Sequence, residues 1–197
     1  MKIYFVLEDT SAASAITNNH APSVFKIYIG VEFAEFLQDR VFLFVYNTIL
    51  KMNVAIYFNI VPKGNDKLSL YFENKNSTLK LHKNKDSDNA QWEVKWLGAE
   101  NGKDKVVLIN KGLGMAMEAK ELQEASSIVP SDYGNKNTDW LLGDIKDGVF
   151  RGILPRKKEE LNLNAWQGGE LYDGQDVRLY PYTETYNDLW AFQLVEN

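Results

Sequence analysis

Tryptophan placement constrains this chain more than any other feature. Trp92, Trp140 and Trp190 stand 48 and 50 residues apart, and an asparagine precedes each by three positions: Asn89, Asn137 and Asn187. Each tryptophan opens a short apolar run, at 92–96, 140–142 and 190–194. Eleven residues before each lies an aliphatic residue in a strand-like segment, namely Leu81, Val129 and Leu179. Two anchors in one register mean copies of one supersecondary unit, each too small to bury its apolar face alone. Upstream, 115–119 and 161–165 alternate apolar and polar as half-buried strands do, and 68–72 takes that place in the first copy. A β-rich run opens each copy at 54–60, 105–109 and 149–154, which makes four strands per copy. Asn101-Gly102 and Asp147-Gly148 separate the copies, and both dipeptides suit tight turns with positive φ.

Three copies of four strands fall short of the four or more blades a propeller typically needs. They suit an all-β fold, the β-trefoil, in which six strands form a barrel, six cap it, and the copies meet on a pseudo-threefold axis. Trp92, Trp140 and Trp190 are then expected in the core. Residues 1–51 stand outside the repeat, so the expected organisation is an N-terminal extension over 1–51 and a trefoil over 52–197. The extension reads either as an accessory element or as a segment dispensable for folding. Within it, 24–29 alternates weakly as a strand. The stretch 31–40 carries apolar residues at 33, 36 and 37, acids at 32 and 35 and a base at 40, the pattern of an amphipathic helix start.

Charge and composition narrow the function classes. There are 22 basic and 27 acidic side chains in 197 residues, and no basic block exceeds Arg156-Lys157-Lys158, so the electrostatic footprint of a nucleic-acid binder is missing. With no cysteine and only His20 and His82, thiolate sites are excluded, and nothing positions a histidine for metal binding or nucleophilic catalysis. Glu118, Glu121 and Glu124 read as a hydrated edge rather than paired catalytic carboxylates. The expectation is a non-enzymatic protein with no cofactor and no metal. The apolar stretch 3–7 is cut by Glu8-Asp9 and is shorter than the roughly 7–15 residues of a secretory signal. The run 41–50 is well short of the roughly 20 needed to span a membrane. The expected location is therefore the cytoplasm, or outside the cell without a recognisable signal peptide.

The third copy carries the most chemistry. Asp173-Gly174-Gln175-Asp176-Val177-Arg178-Leu179-Tyr180-Pro181-Tyr182, followed by Asn187-Asp188-Leu189-Trp190, resembles the ricin B-chain type lectins, the R-type β-trefoil family. The first copy, from Leu70-Tyr71-Phe72 to Asn89-Ala90-Gln91-Trp92, is similar to the trefoil hemagglutinin subunits of clostridial toxin complexes. The resemblance covers roughly 54–197 and lies in short motifs. It implies a shallow pocket for galactose or N-acetylgalactosamine type glycans. A pyranose has an apolar C–H face and a rim of hydroxyls, so it wants an aromatic plane and a few fixed planar polar groups. By the resemblance, Tyr180 matches the stacking aromatic, Asn187 the pocket amide and Asn164 the acceptor carboxylate. Arg178, on the same strand, and Trp166, beside Gln167-Gly168-Gly169, complete the candidate set.

Each candidate has a structural alternative: Tyr180 as an aromatic packing on Pro181 or Tyr182, Asn187 as a turn cap, Trp166 as a half-buried loop residue. Asn164 departs from the family, since an amide has one acceptor oxygen where an aspartate has two. The glutamine usual two residues before each closing tryptophan is replaced by Ala90, Thr138 and Asp188. The second copy presents Pro130 and Glu118 at the pocket positions and the first His82 and Tyr71, so those pockets read as degenerate. The leading expectation is a carbohydrate-binding lectin whose partners are glycans, with a homo-oligomer as a means to avidity. The alternative is a trefoil protease inhibitor or toxin-complex subunit that binds protein through its loops, because trefoils host both.

Overall fold

The computed structural model describes strands Lys2–Asp9 and Phe25–Glu32 by their backbone and residues 55–195 in full. The chain divides into two compact units, Met1–Val54 and Ala55–Asn197. In the first, β1 (Lys2–Asp9) and β2 (Phe25–Glu32) pair antiparallel from Lys2↔Glu32 to Asp9↔Phe25. Both are rich in β-branched and aromatic residues, which suit a pleated surface. The strand expected at 24–29 is present from Phe25. Val31 and Glu32, expected at a helix start, instead complete β2, and 33–40 lies outside the described residues.

The second unit is a β-trefoil. Its first repeat comprises β3 (Tyr57–Pro62), β4 (Ser69–Tyr71), β5 (Lys80–His82) and β6 (Trp92–Glu100). The second comprises β7 (Lys103–Asn110), β8 (Met115–Ala119), β9 (Ile128–Ser131) and β10 (Trp140–Leu142). The third comprises β11 (Ile153–Pro155), β12 (Leu161–Ala165), β13 (Val177–Pro181) and β14 (Trp190–Leu194). The outer strands of each repeat run in the order β11-β10-β7-β6-β3-β14, and an Arg151↔Trp190 bridge joins the ends into a closed six-stranded barrel. Closure removes the open edges that would otherwise invite aggregation.

The inner strands form three hairpins, β4-β5, β8-β9 and β12-β13, that cap one end. They hydrogen-bond to one another near the axis: Leu79 N–H donates to Ile128 C=O at 2.9 Å, Val177 N–H to Leu79 C=O at 2.9 Å, and Leu179 N–H to Ser126 C=O at 3.0 Å. The cap is thus built across repeats, and no hairpin in it is complete alone.

The repeated tryptophans do one job three times. Trp92, Trp140 and Trp190 are each 0% exposed. Their indole N–H groups donate to Leu70, Met117 and Leu163 C=O at 2.9, 3.0 and 3.0 Å, each acceptor lying in the second strand of the same repeat. A large apolar ring is buried and its one donor is satisfied, which is how an indole is accommodated in a core. The asparagines three residues earlier recur for a similar reason. Asn89, Asn137 and Asn187 donate side-chain N–H to Glu73, Ala119 and Ala165 C=O at 3.0, 3.1 and 3.3 Å. Their own carbonyls accept from Phe72, Ala119 and Ala165 N–H. Each asparagine clasps the end of its second strand.

The aliphatic register holds in the first and third copies and slips by one in the second. Leu70 faces Leu81 and Leu163 faces Leu179, but Met117 faces Pro130, and Val129 is only half-buried. Ile128 takes the place of Leu79 and Val177 in the cap, so Ser131 rather than Pro130 occupies the place of Tyr180. Counted from the residue that faces the second strand, Trp140 follows Pro130 by one residue fewer than Trp92 follows Leu81 or Trp190 follows Leu179, as the unequal tryptophan spacing reflects.

Between repeats, Asn101 and Gly102 have φ of 54° and 75°, the two left-handed residues of a two-residue hairpin closed by Glu100↔Lys103. Near the third repeat, the Tyr182 ring covers Gly152, where a Cβ would lie 3.0 Å from the phenol. Burial above all, then the Glu184, Asp188 and Asp144 carboxylates, pushes the Tyr182 hydroxyl up to about 12. The folded state therefore holds this proton above the ordinary tyrosine range near 10 while the unfolded chain releases it. Stability from Tyr182 is complete below about pH 10 and is lost as pH rises toward 12. Urea melts of Tyr182→Phe are expected to show a shallower decline across that window than wild type.

Candidate carbohydrate site on the third repeat

The β12-β13 hairpin sends Leu161, Leu163, Val177 and Leu179 into the core, where all are buried. The opposite face carries the cross-strand pairs Asn162↔Tyr180 and Asn164↔Arg178. One step further out, Trp166 N–H donates to Asp176 C=O at 2.8 Å, so those two residues also lie across from one another. Period-two alternation alone brings these side chains onto one face.

Just past β12 the chain must reverse within a few residues. Gln167, Gly168 and Gly169 all have positive φ, at 77°, 60° and 75°. A Cβ on either glycine would meet nothing within 4 Å, so the need for glycine here is conformational and not steric. The loop returns to Tyr172, and Gln175 locks it. Gln175 is 1% exposed. Its amide donates to Trp166 C=O at 2.9 Å and its oxygen accepts from Tyr172 N–H at 3.1 Å, which ties the two rims together.

Between the rims is an open groove of about 220 Å³ lined by Trp166, Gln167, Tyr172, Gly174, Asp176 and Arg178. Trp166 is half-buried and Tyr172 57% exposed, so the groove offers aromatic surface to solvent. The Tyr180 ring meets Trp166 edge-on at 5.7 Å, and the Arg178 guanidinium lies 5.3 Å from the Trp166 ring centroid. Arg178 Nη2 pairs with Asp176 Oδ2 at 2.9 Å. Indole, guanidinium and carboxylate are thereby held against each other, with donors and acceptors beside an aromatic plane.

Four of the five residues nominated from sequence stand on this face, and Asn187 meets it from the turn before β14. Trp166 and Arg178 line the groove, and Tyr180 buttresses Trp166 from the side. Asn164 is 4% exposed, and its Oδ1 accepts from the Asn187 amide at 3.2 Å. Asn164 and Asn187 are not among the lining residues, and the Asn187 amide is engaged in the clasp that all three repeats share. Sequence reasoning missed Gln167, Tyr172, Asp176 and the rim-locking Gln175. Gln175 and Asp176 stood within the quoted motif and Tyr172 directly before it, but that Tyr172 and Asp176 face the groove depends on the loop reversal.

The corresponding places in the other repeats differ. In the first, Tyr71 and His82 fill them with ring centroids 4.4 Å apart. In the second, Glu118 and Ser131 stand in the places of Asn164 and Tyr180, so no aromatic ring is present there. Among the described residues, no group of three or more potential metal ligands converges, and no helix is long and apolar enough to cross a membrane.

No protein-family model matches the chain, and no curated protein matches it. Solved structures do. The chain is similar to ThreeFoil, a designed threefold-symmetric protein, at 22% identity and a TM-score of 0.60, covering 72% of this chain and 99% of that one. The Rhizoctonia solani agglutinin matches at 19% identity and a TM-score of 0.59, covering 72% and 96%. The Macrolepiota procera ricin B-like lectin, solved with lactose, matches at 14% identity and a TM-score of 0.59, covering 70% and 94%. At these identities the likeness establishes the fold, and the neighbours that share it include β-trefoil lectins.

Proposed function

We propose that this protein is a non-enzymatic lectin that binds galactose or N-acetylgalactosamine type glycans in the third-repeat groove. The observation that carries the reading is the groove itself: an indole plane, a carboxylate and a guanidinium locked together at an open, solvent-facing site. Trp166 supplies the plane for the sugar's C–H face. Asp176 accepts from hydroxyls and Arg178 donates to ring or hydroxyl oxygens, both as charge-assisted bonds. Tyr180 and the Asn164–Asn187 pair hold this layer from behind. The chain's similarity to lectin structures, one of them bound to lactose, supports the same reading.

A shallow site that buries one aromatic face leaves little surplus after ordering costs, so a dissociation constant on the order of millimolar is expected for a monosaccharide. Avidity would then come from several sites or from a homo-oligomer. Calorimetry with galactose, N-acetylgalactosamine and lactose tests the proposal. Trp166→Ala is expected to abolish the heat while leaving the melting curve close to wild type. Absence of heat with all three sugars, or normal binding by Trp166→Ala, would overturn it.

A further inference from the structure

We propose that the sugar site continues across the seam between the third and first repeats and takes a linear oligosaccharide rather than a single ring. This rests on the lectin reading of the groove and adds a second aromatic end to it. The register of the cap carries the argument. Trp166 lies across from Asp176, as their backbone hydrogen bond at 2.8 Å shows. Asp176 in turn pairs with Lys80 on β5 of the first repeat. Lys80 pairs with Tyr71 on β4. The row Trp166, Asp176, Lys80, Tyr71 therefore runs straight across four neighbouring chain segments that belong to two different repeats.

All four side chains are half-buried, and the residues flanking them along their strands, Ala165, Val177, Leu79, Leu81, Leu70 and Phe72, are buried. The row thus points away from the core along its whole length. At the seam, Leu81 N–H donates to Gln175 C=O and Val177 N–H to Leu79 C=O, both at 2.9 Å. These bonds flank the Lys80↔Asp176 pair without passing through it, which is the antiparallel arrangement that brings opposing side chains closest. Three steps of about 4.8 Å between neighbouring strands give a track of about 14 Å, too long for one pyranose and suited to a chain of about three.

The chemistry along the track is that of a sugar-binding surface with an aromatic at each end. Trp166 closes one end. At the other, Tyr71 and His82 form a ring pair with centroids 4.4 Å apart. Between them, Asp176 gives its ion pair to Arg178 on the groove side, and Lys80 stands across from it on the far side, at a half-buried position of the same outward row. A carboxylate and an ammonium side by side supply an acceptor and donors for the hydroxyls of the middle ring. The loop that carries this junction is held from both repeats. Gly174 N–H donates to Leu81 C=O at 2.8 Å, and Asp173 Oδ1 accepts from Lys83 N–H at 3.1 Å. The two halves of the track are therefore fixed in register before any ligand arrives, which lowers the ordering cost of binding.

The test uses the full chain and two probes, D-galactose and a linear β-linked galactotriose, measured by calorimetry and by saturation-transfer NMR. Galactotriose is expected to bind about tenfold more tightly than galactose, the gain that one further stacked aromatic can supply. Tyr71→Ala is expected to remove that gain and leave galactose binding unchanged. Lys80→Ala, at a half-exposed position where the fold is not at stake, is expected to reduce the gain in the same selective way. In wild type, saturation should reach all three rings of the triose. Equal affinity for the two probes, saturation confined to one ring, or equal weakening of both probes by Tyr71→Ala would overturn the extended site while leaving the third-repeat groove in place. Failure of both probes to bind would overturn both readings.

Discussion

Replacing Trp190 by alanine is expected to lower the unfolding free energy by about 3–5 kcal/mol, the largest single-residue effect we expect in the chain. Trp190 is fully buried, and its indole N–H is the partner of Leu163 C=O at 3.0 Å. Truncation opens a cavity between the barrel and the β12-β13 hairpin and strands that carbonyl. The backbone at this position also closes the barrel through its bridge to Arg151, so loosening it is felt on both sides of the seam. Trp166→Ala removes a ring of the same size from a half-buried groove wall outside the core, where it touches the Tyr180 ring and the Arg178 guanidinium. It is expected to cost about 1 kcal/mol or less. Urea melts of the two variants side by side check the assignment of one tryptophan to the core and the other to the site; equal losses would contradict it.

The second large effect is expected at Asn162. This side chain is 0% exposed. Its Oδ1 accepts from Ile153 N–H at 2.7 Å, and its amide donates to Asp188 C=O in a short contact. It therefore joins the start of β11 to the turn before β14, two segments whose direct pairing is limited to a single bridge. Asn162→Ala leaves both backbone groups buried without a partner. At about 1–3 kcal/mol for each orphaned group, and with partial relaxation, the expected loss is about 2–4 kcal/mol. Asn162→Asp keeps the acceptor and loses the donor, placing a negative charge against the Asp188 carbonyl, and is expected to be no better. Asn164→Ala is the control. Two residues along the same strand, it breaks one side-chain bond to Asn187, whose amide keeps its bond to Ala165 C=O, so the loss is expected to be clearly smaller. Chemical denaturation of the three variants reads the difference.

The contrast between Asn162 and Asn164 shows where sequence patterning stops. Both sit at alternate positions of one strand and read as equivalent polar residues on an outer face. The structure buries both, because the hairpin's outer face is partly roofed by the chain between β13 and β14. Only then does one asparagine become a crosslink between β11 and the turn before β14, and the other a partner of Asn187. The resemblance-based nominations show the same limit. They cluster at the outward face of the third-repeat hairpin, and among them Asn187 makes the clasp present in every repeat. Asp176, the carboxylate that reaches the groove, stands on the strand opposite the one where the acceptor was sought.

The sequence by itself determined the threefold period, the burial of Trp92, Trp140 and Trp190, and the turns at Asn101-Gly102 and Asp147-Gly148. Each is a one-dimensional signal: a ring that must be dry recurs with the unit that dries it, and positive φ is a property of the residues at the turn. Tertiary structure decided the one-residue slip that puts Ser131 where Pro130 was expected, and the reversal at Gln167-Gly168-Gly169 that sets Tyr172 opposite Trp166. It also decided the pairing of Lys80 with Asp176 across repeats. Alternation tells which way a side chain faces, but not which strand will lie beside it. That neighbour is chosen when three incomplete hairpins close around one axis, a packing event to which no single repeat's sequence refers.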